Sequence, residues 1–308
     1  MLGCSWQVPQ ELALETIEDA TGPRVRIGQA VLAPEVTDLW QVADWARTTG
    51  NSGLEFGRGP ELSWCTATPT LACEGRAVDA GTFAFRTSRP ASPSEIRALL
   101  VGSPMVAMAR SAGRPCLHGA VVAFDGVGVA LLGPSGAGKT TLAGACVLHG
   151  ADLLADDCVA LEHGTAGWRA HPAPAALRCT QATHALLRPG VPFVPALDGK
   201  QPMQVNERQR RRVAVPLAAI VLLSTERHTE PSLDVWREVS PLRHAVLSSY
   251  RHPARMPMTR AASAHEHETI GQLACELPLL HARAGTSPQS AIALAAMLAT
   301  TVGRKGWS

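Results

Sequence analysis

Residues 127–142 read Val-Gly-Val-Ala-Leu-Leu-Gly-Pro-Ser-Gly-Ala-Gly-Lys-Thr-Thr-Leu: an apolar run, a turn of the form G-x-x-x-x-G-K-[ST], then a helix-compatible stretch. Strand, tight loop and helix must follow one another directly here, and that order belongs to α/β architecture. Gly133, Gly136 and Gly138 allow successive backbone N–H groups to turn inward around an anion, and the following helix adds its positive end. Pro134, Ser135 and Ala137 complete the loop, and Thr141 opens the helix with Thr140. Lys139 is placed to reach the β- and γ-phosphates of a nucleotide, and the Thr140 hydroxyl to ligate magnesium. The expected cofactors are therefore ATP and Mg2+.

The residues on either side of the loop extend this reading. Ala120 to Phe124 is a short apolar strand, Asp125-Gly126 is a two-residue hairpin turn, and Val127 to Leu132 is the returning strand. A hairpin closed at Phe124 and Val127 sets His118 opposite Gly133, at the mouth of the loop. Thr140 to His149 predicts a short helix with Gly150 as its C-cap. The strand Asp152-Leu153-Leu154-Ala155 then runs into Asp156-Asp157, 17 residues after Lys139. Strand ends on one edge of an α/β sheet gather ligand groups, so this carboxylate pair is expected beside the loop. One acid would bind the metal and the other would act as base. Arg178 and the cluster Arg208 to Arg212 are candidates for holding phosphate or an acidic substrate, since guanidinium binds phosphate oxygens in bidentate fashion.

At 308 residues, with 46% apolar and 18% charged residues, the chain has material for a large core or for a domain of about 200 residues with a smaller partner. A net charge of +2 gives no reason to expect nucleic-acid binding. No apolar stretch reaches the length of a membrane span, and the N-terminus lacks a basic start leading into an apolar core. The eight cysteines form no C-x-x-C pair and no zinc spacing, so buried reduced thiols in a cytoplasmic protein are expected.

Residues 1–112 read as a small α+β module, with strands around 24–27 and 82–86, a helix over 36–47 and another over 94–112. Residues 113–308 read as the domain that carries the loop. Further along, 170–178 is extended, 213–224 and 277–281 are strands, and 241–250 and 287–301 are helices. His265 and His267 belong to no metal-like constellation.

Leu117-His118-Gly119, the hairpin, Gly-Pro-Ser-Gly-Ala-Gly-Lys-Thr-Thr-Leu, a short helix ending in glycine and Leu-Leu-Ala-Asp-Asp together resemble the core of the HPr kinase/phosphorylase family. More narrowly they resemble the HPr-kinase-like proteins found with lasso-peptide biosynthesis. The match covers about 117–161. It implies a phosphoenolpyruvate-carboxykinase-like P-loop domain with a mixed sheet, and an ATP-dependent serine kinase that acts on a peptide or small protein, such as a lasso-peptide precursor. It also implies His118 and Asp156 as an acid/base pair, Asp157 at the magnesium, Lys139 with Thr140 holding the nucleotide, and a homo-oligomer; Lys139 and Arg178 are counted with His118 and Asp156 as the catalytic candidates. The Glu-x-Arg-Gly signature of HPr kinases is absent, since 175–179 reads Ala-Ala-Leu-Arg-Cys.

Other readings use the same loop. A transport ATPase would need a Leu-Ser-Gly-Gly-Gln signature, which this chain lacks. A nucleotide-binding regulatory or scaffold protein without transferase activity, and a small-metabolite kinase, remain as alternatives.

Overall fold

The computed structural model describes residues 5–7, 24–29, 53–56 and 63–303, apart from 80–81, 101, 112, 174–175, 196–198, 239, 252–259, 286 and 288. Proximity in space divides the chain into two units, 3–114 with 253–266 and 115–252 with 267–308.

In the first unit, β1 (Ser5–Gln7), β2 (Arg24–Gln29), β3 (Gly53–Phe56), β4 (Ser63–Ala67), β5 (Ala72–Asp79) and β6 (Thr82–Thr87) form one sheet in the order β1-β2-β6-β5-β4-β3. The β1–β2 and β2–β6 pairs are parallel and the others antiparallel. Trp64, Cys65, Cys73 and Phe85 are buried in it. The helix expected over 94–112 is two helices, α1 (Pro93–Leu100) and α2 (Ser103–Ser111), because Gly102 takes φ 123° between them, a conformation no continuing helix allows. Ser92 and Glu95 form a reciprocal capping box at the start of α1: the Ser92 N–H donates to Glu95 at 2.8 Å, and the Glu95 N–H to the Ser92 hydroxyl at 3.4 Å. The helix expected over 36–47 lies outside the described residues.

The second unit contains β7 (Cys116–Leu117), β8 (Gly119–Phe124), β9 (Val127–Leu132), α3 (Lys139–Leu148), β10 (Asp152–Ala155), β11 (Val159–Gly164), β12 (Gly167–His171), β13 (Leu177–Cys179), α4 (Gln181–Leu187), β14 (Gln201–Met203), β15 (Val215–His228), β16 (Ser232–Val235), α5 (Ser240–Ser249), the later part of α6 (Arg260–Glu276), β17 (Leu279–Gly285) and α7 (Ser290–Gly303). Its main sheet is mixed and curled. The order β10-β8-β9-β15-β12-β11-β7 is joined on β15 by β17 and then β16, and β13 pairs with β14 in a small antiparallel sheet. The 14-residue β15 serves several partners in turn: β12 antiparallel at Val215 and Pro216, β9 parallel over Leu217–Leu222, and β17 parallel from Ile220 onward. Strands β15 and β17 thus run longer or later than the sequence spacing predicts, the extended segment expected over 170–178 takes in the end of β12 and the start of β13, and β11, β14 and β16 carry no sequence signal that anticipated them.

Hairpin β8–β9 has the expected register, from Gly119–Leu132 to Phe124–Val127. Asp125 and Gly126 take φ 49° and 81°, the left-handed pair that a two-residue turn between twisted strands requires. Helix α3 lies on the sheet and against α7, with Leu131, Leu142, Cys146, Leu153, Val221, Leu294 and Leu298 in one core. Each such fully buried leucine contributes about 1.5–3 kcal/mol, so this core fixes the sheet edge from which the loop emerges. Because β9 and β10 run the same way on either side of antiparallel β8, the end of β9, the start of β8 and the end of β10 meet at that edge. No helix among the described residues is long and apolar enough to cross a membrane.

Candidate functional site

Those three segment ends carry Gly133, His118 and Asp156. The chain leaves β9 at Gly133, where a Cβ would stand 2.7 Å from the Leu223 carbonyl oxygen, so only glycine passes without displacing β15. The loop reaches α3 through Gly138, the helix N-cap, at φ 100°, and no side chain caps the first turn. The opening N–H groups of α3 therefore point into the loop as an anion cradle. Lys139 Nζ donates to the carbonyl oxygens of Gly133 and Pro134 at 2.8 and 3.0 Å, which folds the ammonium over the loop. Burial holds its pKa below the usual lysine value.

Asp156 is 7% exposed. The Thr140 hydroxyl lies 3.2 and 3.3 Å from its two carboxylate oxygens, and the Arg178 backbone N–H donates to it at 3.0 Å. Burial pushes the Asp156 carboxyl above its ordinary range, while the Arg178 and Thr140 hydrogen bonds pull it back. Asp157 is half exposed and left-handed at φ 75°, a conformation that aspartate tolerates better than most side chains. The His118 Nδ1 stands 3.2 Å from the Asp157 carbonyl oxygen and 3.4 Å from its carboxylate. Burial lowers the His118 pKa more than the Asp157 charge raises it, which favours the neutral ring at pH 7.

These groups line one cavity of about 490 Å3, which extends from the loop to the starts of α4 and α7. The donor set suits a magnesium nucleotide. A hydroxyl and a carboxylate, both hard oxygen donors, already stand side by side at Thr140 and Asp156, next to a cradle of backbone amides.

Most of the residues anticipated in sequence lie on this cavity: Ser135 to Thr141, Asp156, Asp157, His118 and Arg178. The pairing differs from the one implied by the resemblance. His118 faces Asp157, and the partner of Thr140 is Asp156. The left-handed turn at Asp157 swings its carbonyl and carboxylate toward β8, while Asp156 still follows the direction of β10. None of Arg208 to Arg212 lines the cavity. Arg210 and Arg212 pair with Glu207 at 3.4 and 2.6 Å, and Arg211 lies 3.7 Å from Asp152. Lys200, Thr180 and Thr183 do line it and had no motif to mark them. No group of three or more His, Cys, Asp or Glu that could hold a metal occurs among the described residues.

No family model matches the sequence, and neither does any curated protein. Among solved structures, the chain is similar to the HPr(Ser) kinase/phosphatase from Coxiella burnetii, with 12% identity, a TM-score of 0.31, and coverage of 61% of this chain and 91% of that chain.

Proposed function

We propose that the second unit is a magnesium-dependent phosphotransferase that moves the γ-phosphate of ATP to a hydroxyl of a peptide or small protein. The observation that carries this reading is the convergence of two pairs on one cavity: Thr140 with Asp156 beside the glycine loop, and His118 with Asp157 on the same edge. The loop and Lys139 hold the β- and γ-phosphates. Thr140 and Asp156 would hold a magnesium ion, which when bound would neutralise phosphate charge.

Asp157 then belongs to the proton path rather than to the metal. A carbonyl oxygen only accepts, so a neutral His118 bonded to it carries its proton on Nδ1 and keeps a lone pair on Nε2. The acceptor hydroxyl gives its proton to Nε2 as its oxygen bonds the γ-phosphorus. The bond from that phosphorus to the bridging oxygen breaks, and ADP departs with the electron pair. Asp157 orients the ring and steadies the imidazolium, and Arg178 meets the charge that develops on the phosphoryl oxygens. A serine of a lasso-peptide precursor is the acceptor implied by the resemblance and the first to be tried.

The test is incubation of the purified protein with ATP, magnesium and serine-containing peptides, followed by mass spectrometry. The reading requires one added phosphoryl group with the wild type and none with Asp156→Asn. Nucleotide binding with no phosphorylated product from any acceptor, and ATP hydrolysis equal in the two proteins, would instead favour a nucleotide-binding scaffold.

A further inference from the structure

Lys200 is a cation of the cavity that belongs to no phosphate-loop motif. It stands one residue before β14, which pairs antiparallel with β13 through Leu177–Met203, Arg178–Pro202 and Cys179–Gln201. Lys200 and Thr180, the N-cap of α4, are the residues that flank the last pair of that ladder, Cys179–Gln201. Arg178, Thr180 and Lys200 all line the cavity. Each strand of the ladder is tied to a neighbouring segment. The Arg178 N–H is bonded to Asp156, and the Gln201 side-chain oxygen accepts from the Val194 N–H at 2.8 Å. The short sheet that clamps Asp156 therefore also fixes where Lys200 enters.

Lys139 and His118 line the same cavity as Lys200. Lys200 therefore faces the cavity that the loop lysine and the His118–Asp157 pair also face. Two ammonium groups on one cavity repel one another, and a multiply charged anion bound in that cavity relieves the repulsion. Of the ligands that fit an amide cradle, the one that extends past Lys139 toward His118 is a third phosphate.

We propose that Lys200 is a second phosphate-binding lysine, which holds the terminal phosphate of a bound nucleoside triphosphate together with Lys139. This rests on the nucleotide reading above and adds to it a residue that tells triphosphate from diphosphate. The group transferred would then be gripped at its outer oxygens while the bridging bond breaks.

The full-length protein, as wild type, Lys200→Ala and Lys200→Arg, is titrated calorimetrically with ADP and with a non-hydrolysable ATP analogue, both with magnesium. The expected result for Lys200→Ala is a loss of about tenfold in affinity for the analogue, the size of one charge-assisted phosphate contact, with ADP affinity unchanged. Lys200→Arg recovers most of the loss, and both variants keep the wild-type melting temperature because Lys200 is exposed. Equal affinities of Lys200→Ala and wild type for the analogue overturn the proposal while leaving nucleotide binding intact, and so does an equal loss for both nucleotides. A change confined to the KM of the peptide acceptor also overturns it, since the lysine then serves the acceptor. A wild type that binds neither nucleotide removes the nucleotide reading and the role of Lys200 together.

Discussion

Asp156 sits where its own charge is least welcome. Its folded-state pKa lies above the ordinary carboxylate value, so the group favours the fold at low pH, and that contribution is lost as pH rises through the raised value. A cation on its oxygens offsets the cost. Asp156→Asn keeps an oxygen that can accept from Thr140 and from the Arg178 N–H, but removes the buried charge. We expect this variant to melt at or above the wild-type temperature at pH 7 without magnesium, while transferring no phosphate. Magnesium with ADP should raise the melting temperature of the wild type well above any effect on the variant, as differential scanning fluorimetry reads directly. A variant that melts lower, yet gains as much from the ligands, would count against Asp156 as the metal-side carboxylate. His118 makes the complementary prediction. Burial holds its pKa below 6.5, so the acid limb of log(kcat/KM) should fall below that pH, with a plateau above it. An acid limb centred above pH 7 would exclude this partly buried, neutral imidazole as the base.

At the scale of elements, the two ends of hairpin β8–β9 are separable: its turn closes the chain reversal and its open end presents His118, while the buried faces of both strands hold the register. Gly126 holds φ 81° at the turn, far from the cavity. Gly126→Ala should therefore cost about 1 kcal/mol in urea unfolding and leave kcat unchanged, because the core on both faces of β8 and β9 still holds the register. A large loss of kcat would mean that the turn, rather than the core, positions His118. This hairpin was legible in sequence because its signals are local: Asp-Gly between apolar runs, then glycines, then a helix capped at Gly150. The same holds for β10 running into Asp156-Asp157. What sequence could not show depends on pairing between distant segments. Lys200 reaches the cavity only through the β13–β14 ladder, whose strands have three residues each, too few for a periodic pattern. The pairing of His118 with Asp157 and of Thr140 with Asp156 accompanies a single left-handed residue, and aspartate in a strand-end pair gives no sign of which member will adopt that conformation.

For the molecule as a whole, the informative tie is one that joins residues 156 positions apart. Arg110 on α2 and Glu266 on α6 form a bidentate pair, with both contacts at 2.8 Å and side chains 7% and 3% exposed, inside the unit that comprises 3–114 and 253–266. A segment from late in the chain thereby completes the early one. The helix that supplies it shows why the sequence concealed this. Arg260–Glu276 reads Arg-Ala-Ala-Ser-Ala-His-Glu-His-Glu-Thr-Ile-Gly-Gln-Leu-Ala-Cys-Glu, and its buried positions include Glu266 and Thr269 beside Ile270, Leu273 and Ala274. An apolar stripe that contains a buried acid does not register as amphipathic until its arginine is known. Removing one member of such a pair strands the other charge in the interior, at a cost of about 3–5 kcal/mol, whereas replacing both by apolar groups of similar volume is often neutral. Arg110→Ala should therefore destabilise the full-length chain by about 3–5 kcal/mol in urea unfolding. Arg110→Met combined with Glu266→Leu should recover most of that loss. If the single variant loses less than about 1 kcal/mol, the pair behaves as a surface ion pair and the 253–266 segment is held by other contacts. If instead the double variant is as weak as the single, the two charges contribute more to stability than a well-packed apolar contact does at this position, and the early unit depends on them to recruit its distant segment.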